Sequence, residues 1–356
     1  MKQSTLRKLI TLAMLAVLCI FFTAKNAVFM SAGNLTAILR DASVAGIVGV
    51  GLTCVILTAG IDLSTGSVIA LVGMTMANVY EYTLWPIWVM ILLGLLVGAV
   101  CGLINGFVVA KLHIPEFIGT LATMGIFRSL TYVIAVDESY QMRTAEFVRW
   151  GGKALSFRVA GQNVDIYWVV IALIVVTILG QVLLKKTRLG TNLYAVGSNP
   201  KAAQLSGINT ENTRVMAFVI TGLLAAVGGV FQTARLQSTQ VLLADSFNFD
   251  PIAAAVIGGC ALDGGEGDCI GTLLGAIFMA ALNSGIMKLG LSSAWQNVMA
   301  KDILGADRLL WSTDAPFAAM SDTYTHLHDY LLKGDAFTQD ELQKVYYDNA
   351  KKVYFD

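Results

Sequence analysis

The chain alternates long apolar runs with short polar joints. Runs at about 8–24, 42–61, 64–81, 85–110, 116–136, 167–184, 214–235 and 268–290 each approach the ~20 residues with which a helix crosses a bilayer. A shorter apolar piece lies at 251–262. In lipid every backbone polar group must be satisfied within the chain, which long apolar runs achieve as helices. The pattern therefore predicts an all-α polytopic membrane protein with roughly eight to nine transmembrane segments. Composition agrees: 13 % of residues are charged, whereas soluble domains carry about 25 %, and the mean hydropathy is +0.68.

The joints orient the runs. Lys2, Arg7 and Lys8 precede the first run, as in a signal peptide, but it ends in Phe21, Phe22, Thr23, Ala24 and Lys25 with no small-x-small cleavage site. An uncleaved first span is expected. Counting from an inside N-terminus places Lys111, the basic cluster Lys185, Lys186 and Arg188, and the polar stretch 194–214 in the cytoplasm, with 137–165 outside. That polar stretch reads YAVGSNPKAAQLSGINTENTR. Asn199 suits a helix cap, Pro200 a first helical position and Gly207 a terminator. A short polar helix with no core of its own must dock on something else, and Ala202 and Ala203 offer a small-residue surface for a partner's groove. The formal net charge of zero gives nucleic-acid binding no electrostatic support. Cys19, Cys54, Cys101, Cys260 and Cys269 sit mostly in apolar runs without CxxC spacing, which suits packing better than disulfides or metal.

Within the runs, Gly94, Gly98, Gly102 and Gly106 recur every fourth residue and mark a helix-packing face, because small residues let two membrane helices approach closely. Asp62 lies where two runs meet. It reads either as a functional membrane acid or, with Ser64 following, as a helix cap. Asn105, Thr120 and Thr123 are further pathway candidates, equally accounted for by ordinary interhelical hydrogen bonds. Between Pro251 and Asp268 a short apolar piece breaks at Gly258-Gly259 and continues as an acidic Gly-rich turn, fitting either a pathway wall or a plain loop. No GxxxxGK[ST] loop and no ladder of membrane charges appears, so if the chain moves a solute, the energy is expected from another subunit.

Five blocks carry a resemblance: GIDLSTGSVIAL (60–71), NGFVVAKLHIPEFIGTLATMGIFRSL (105–130), YAVGSNPKAAQLSGI (194–208), GLLAAVGGVFQTARL (222–236) and DPIAAAVIGGCALDGGEGDCIGTLLGA (250–276). In this order they resemble the permease subunits of bacterial ATP-binding-cassette importers for monosaccharides, the ribose and galactose permease family. The likeness runs over about 5–298. It implies an inner-membrane permease that lets through a monosaccharide or similar small polar solute. The implied partners are a second permease copy, cytoplasmic ATPase subunits, a periplasmic sugar-binding protein and membrane lipid. No cofactor and no metal are expected. The family's ATPase-coupling helix falls on Gly197, Ser198, Asn199, Pro200, Lys201, Ala202, Ala203 and Gly207.

Near residue 299 the character changes. From there on, ten acids face six bases, a net of −4. The expected last apolar span is replaced by GADRLLWSTDAPF and a terminal ELQKVYYDNAKKVY, which look like the closing strand and helix of a metal-dependent amidohydrolase. The domains are therefore 1–298, a permease lacking its last span, and 299–356, a small soluble, mostly helical tail. Asp314 matches the strand-end aspartate of that superfamily. Since a TIM barrel needs ~250 residues, the tail is too short to be active. His326 and His328 read as a solvated pair. The alternatives are a fusion or truncated product without transport, or a membrane-anchored hydrolase remnant.

Overall fold

The computed structural model describes residues 3–135, 139–142, 144–159, 162–241 and 245–289. The tail, with Asp314, His326 and His328, lies outside the described residues. The chain divides into two compact units, 1–284 and 285–356, and nearly all of the described residues belong to the first.

The elements in chain order are α1 (Gln3–Lys25), α2 (Ala32–Leu57), α3 (Thr65–Thr83), α4 (Ile87–Ala110), α5 (Glu116–Ile134), β1 (Ser139–Gln141), α6 (Ala145–Gly151), β2 (Lys153–Val159), β3 (Gln162–Tyr167), α7 (Trp168–Lys186), α8 (Arg188–Ser198), α9 (Pro200–Leu205), α10 (Thr210–Leu236), β4 (Ser238–Gln240), α11 (Asp250–Ile257) and α12 (Cys269–Lys288). Among the described residues, seven helices are long and apolar enough to cross a membrane: α1, α2, α4, α5, α7, α10 and α12. The expected eight runs are these seven plus α3, which has the length but falls below the hydropathy of the others. The second run starts earlier than its apolar pattern suggests. Ser31 caps α2 by accepting from the Asn34 amide, and the polar turn Asn34–Asp41 is already helical.

Burial sets the order of the bundle. Of the α2 window 83 % is buried, against 11 % for α1, so α2 is central and α1 leans on the outside. From Thr65 to Met74 every residue of α3 is buried as well, because α4, α5 and α10 surround it. The seam between α4 and α10 is made of bare backbone. A Cβ at Gly98 or Gly102 would overlap the Gly222 or Phe218 carbonyl oxygen, and one at Gly106 would come within 2.8 Å of the Val215 Cα. Gly94 differs, facing the Met76 side chain of α3. Shape complementarity of this kind replaces hydrophobic burial as the source of helix association in lipid.

The bundle has two unlike ends. One carries Lys111, Lys185, Lys186 and the short helices α8 and α9. The other carries two small antiparallel pairings, β1 with β4 and the hairpin β2–β3. The return from the hairpin end to the basic end after α10 is not a single helix. It passes through β4, a 3₁₀ turn at Asp245–Asn248 and then α11, whose eight residues reach only about 12 Å. α12 then runs back to the hairpin end, where Ser284 donates to Asn34 at 3.0 Å.

Candidate functional site: coupling surface and buried polar group

At the basic end, α8 and α9 meet at a single residue, Asn199. Its extended backbone and its side chain, which accepts from the Ala202 amide at 2.9 Å, end one helix and cap the next. Pro200 occupies the first turn, and Gly207 (φ +82°) supplies the left-handed residue that stops α9. Burial changes the expected docking face. Ala203 is only 4 % exposed and packs on the permease itself, so it is not part of a surface offered to a partner. Lys201, Ala202 and Gln204 are exposed instead, together with Leu205. At 90 % exposure Leu205 is the barest large apolar side chain described. Reading the stretch by residue size misses it; a single large apolar residue on a six-residue helix of otherwise small or polar residues is the available signal.

α8 is pressed against the core. A side chain at Gly197 would run into the Leu57 carbonyl oxygen at the end of α2 and reach the Gly265 amide at 2.6 Å. The Gly265 amide in turn donates to that Leu57 oxygen at 2.9 Å. The Tyr194 hydroxyl donates to the Gly267 carbonyl at 2.7 Å. Burial, with Asp268 nearby, pushes the Tyr194 phenol above its ordinary pKa, which keeps it a donor. Asp268 pairs with Lys8 and accepts from the Gly271 amide at 2.8 Å.

The sequence-derived pathway residues separate into one group and one outlier. Asp62 is 2 % exposed; it accepts from the Ser64 amide at 2.9 Å and hydroxyl at 2.7 Å, and from the Asn105 amide at 3.3 Å. Asn105 also donates to the Ser64 hydroxyl at 2.7 Å, while its own Oδ1 has no partner. Thr120 joins from α5, accepting from the Leu63 amide at 3.3 Å and donating to the Glu116 carbonyl at 2.8 Å. Thr123 stays apart, donating to the Thr120 carbonyl of its own helix. Asp62 is thus a turn-former just before α3 rather than its cap. The first turn of α3 is capped from elsewhere. The Gly66 amide donates to Asn248 Oδ1 at 3.0 Å, and the Thr65 hydroxyl to the Phe247 carbonyl at 2.7 Å. Neither residue stands out in the sequence, because both act across 182 positions.

The bundle thus combines a buried core helix with an acid turn at its foot, a glycine seam and a short helix with an exposed leucine, and comparison with known proteins identifies its family. The family described as branched-chain amino acid transport system / permease component matches residues 34–304. The chain belongs to this permease family. Among its relatives, the ribose import permease protein of Haemophilus influenzae is 39 % identical over 273 residues, covering 77 % of this chain and 83 % of its own length. That of Escherichia coli K12 is 36 % identical, covering 76 % and 83 %. The xylose transport system permease protein of Haemophilus influenzae is 31 % identical, covering 85 % and 96 %. A separate family, amidohydrolase, matches residues 295–355. No solved structure matches. The chain is a multi-pass permease of the inner membrane, a subunit of an ATP-driven importer that forms a translocation pathway, and not itself an enzyme.

Proposed function

We propose that the chain passes a monosaccharide or similar small polar solute across the inner membrane as one of two permease copies. A periplasmic binding protein delivers the solute, and cytoplasmic ATPase subunits dock on α9. The observation that carries the docking is Leu205, the one large apolar side chain of a short helix, left bare while Ala203 beside it is buried. An isolated exposed leucine of this kind is suited to fill a partner's pocket. The basic cluster at Lys185, Lys186 and Arg188 supports the cytoplasmic side for this end. Relatives named as ribose, xylose and galactose permeases support a sugar. Asp62, Asn105 and Thr120 stand at the foot of the buried helix α3, and they are the polar groups we assign to the pathway. Lipid covers the exposed apolar side of α1.

The amidohydrolase match favours a second reading for residues 299–356: a hydrolase ending joined to a permease that lacks its last span, leaving the chain silent in transport. About 60 residues do not make a barrel of ~250, so Asp314 would be inactive. Co-purification with the cognate ATPase subunits, followed by binding-protein-stimulated ATP hydrolysis and sugar uptake in proteoliposomes, tests the first reading. Comparison with a chain carrying a restored terminal span tests the second. Stimulated hydrolysis with uptake supports transport by this chain; activity only after restoration supports the silent fusion.

A further inference from the structure

We infer that Asn248 and Tyr194 are positioning residues for coupled transport, tying the broken segment around α11 to α3 at one end and to α8 at the other. The inference rests on the permease reading. At the α3 end, Ser64 stands at the cap position of α3 but makes no side-chain cap bond. The Gly66 amide is satisfied by Asn248, itself only 8 % exposed, and the neighbouring Thr65 hydroxyl by the Phe247 carbonyl. Away from water an unsatisfied amide is costly, so α3 cannot readily let go of this turn. The same turn of α3 carries Ser64 and, beside it, Asp62 and Asn105.

At the other end the contact is backbone on backbone. Gly197 of α8 lies on the Leu57 carbonyl, which also receives the Gly265 amide, and the Tyr194 hydroxyl holds the Gly267 carbonyl. Flexible side chains would absorb a displacement, whereas contacts of this sort pass it on. Because one residue separates α8 from α9, a push on α9 reaches the 264–267 turn through a short, stiff route. From there α11 leads to Asn248. α11 moves with α12, since Gly258 faces the Gly271 carbonyl and Gly275 the Ala254 carbonyl with no room for side chains. The broken segment therefore connects the docking helix to the turn that holds the buried acid.

The test uses the full chain with its ATPase subunits and binding protein in proteoliposomes, and reads solute taken up per ATP hydrolysed. Asn248→Ala should lower that ratio about ten-fold while stimulated hydrolysis persists. Asn248→Asp keeps the acceptor and should restore it, whereas Asn248→Leu, of similar volume but without an acceptor, should not, which a role in mere filling of space does not predict. Tyr194→Phe removes only the hydroxyl at the α8 end, and should lower the ratio in the same direction. An unchanged ratio in Asn248→Ala, or a parallel fall of uptake and hydrolysis, overturns the assignment. Should Asn248→Ala fail to insert, Tyr194→Phe decides on the same criterion. Absence of stimulated hydrolysis with the unaltered chain overturns the permease reading itself, a result distinct from any change in the ratio.

Discussion

Two surfaces built on small residues have opposite fates in this molecule. On α4, Gly98 and Gly102 lie against the carbonyls of α10, and the seam is closed within the chain. On α9, Ala203 is closed in the same way, but Ala202 and Leu205 remain open. Residue size alone therefore does not tell an internal seam from a docking face. Exposure of the neighbouring large side chain does: Leu205 is bare, whereas Phe218 beside Gly102 is buried.

The comparison breaks most visibly at the seam. Gly98→Leu must place its side chain where the Gly222 carbonyl and the Ala226 methyl already are, and both belong to a packed helix. A loss of at least about 3 kcal/mol is expected, seen as little monodisperse protein in detergent and a lowered Tm. Normal yield and Tm for this variant would show that α4 and α10 can separate at no great cost. On the open surface the expectation reverses. Leu205→Glu should leave stability within about 0.5 kcal/mol of the parent, yet weaken retention of the ATPase subunits about thirty-fold or more, as removal of a buried anchor does. Ala203→Glu combines the two effects, since a charge placed at a buried site on α9 costs stability as well as docking. An Ala203→Glu protein as stable as Leu205→Glu contradicts the division drawn between them. Smaller again is Asp62→Ala. It leaves the Ser64 amide and hydroxyl without their acceptor, for about 1–3 kcal/mol by thermal or denaturant unfolding.

Helix content and the α9 cap are legible in the sequence because they depend on near neighbours: Asn199, Pro200 and Gly207 lie close together along the chain. The fourfold glycine spacing is legible for the same reason, though its partner helix α10 is not. What stays hidden depends on contacts across the chain. Asn248 looks like any loop asparagine until Gly66 is found beside it. Ala203 looks like a docking residue until its burial is seen. Conversely, Asp62, Asn105 and Thr120 stand out singly as polar residues in apolar surroundings, and the fold brings them to one place while Thr123 spends its hydroxyl on its own helix.

A region remote from both surfaces offers the finest test. In the β2–β3 hairpin, Lys153 and Asp165 pair at 2.8 Å, and Ser156 donates to the same carboxylate at 2.7 Å. The hydrogen bond from Lys153, followed by that from Ser156, holds the Asp165 carboxyl below its ordinary pKa. The bond to Asp165 raises the Lys153 ammonium. For a lowered carboxylate the stabilisation is present above the unfolded pKa, and is lost as pH falls through the lower folded value. For a raised lysine it is present below the unfolded pKa, and is lost as pH rises through the higher folded value. The pair thus supports the hairpin across the neutral range and fails at both extremes. Because both groups face solvent, the effect is small and weakens with salt. Lys153→Met should flatten the acid limb of hairpin stability, followed by exchange of the β2–β3 backbone amides, without altering ATPase retention. An acid limb that persists undiminished in Lys153→Met would assign it to the Ser156 bond or to a different carboxylate rather than to the Lys153 pair, and altered retention would mean that the hairpin and the α9 surface are not independent.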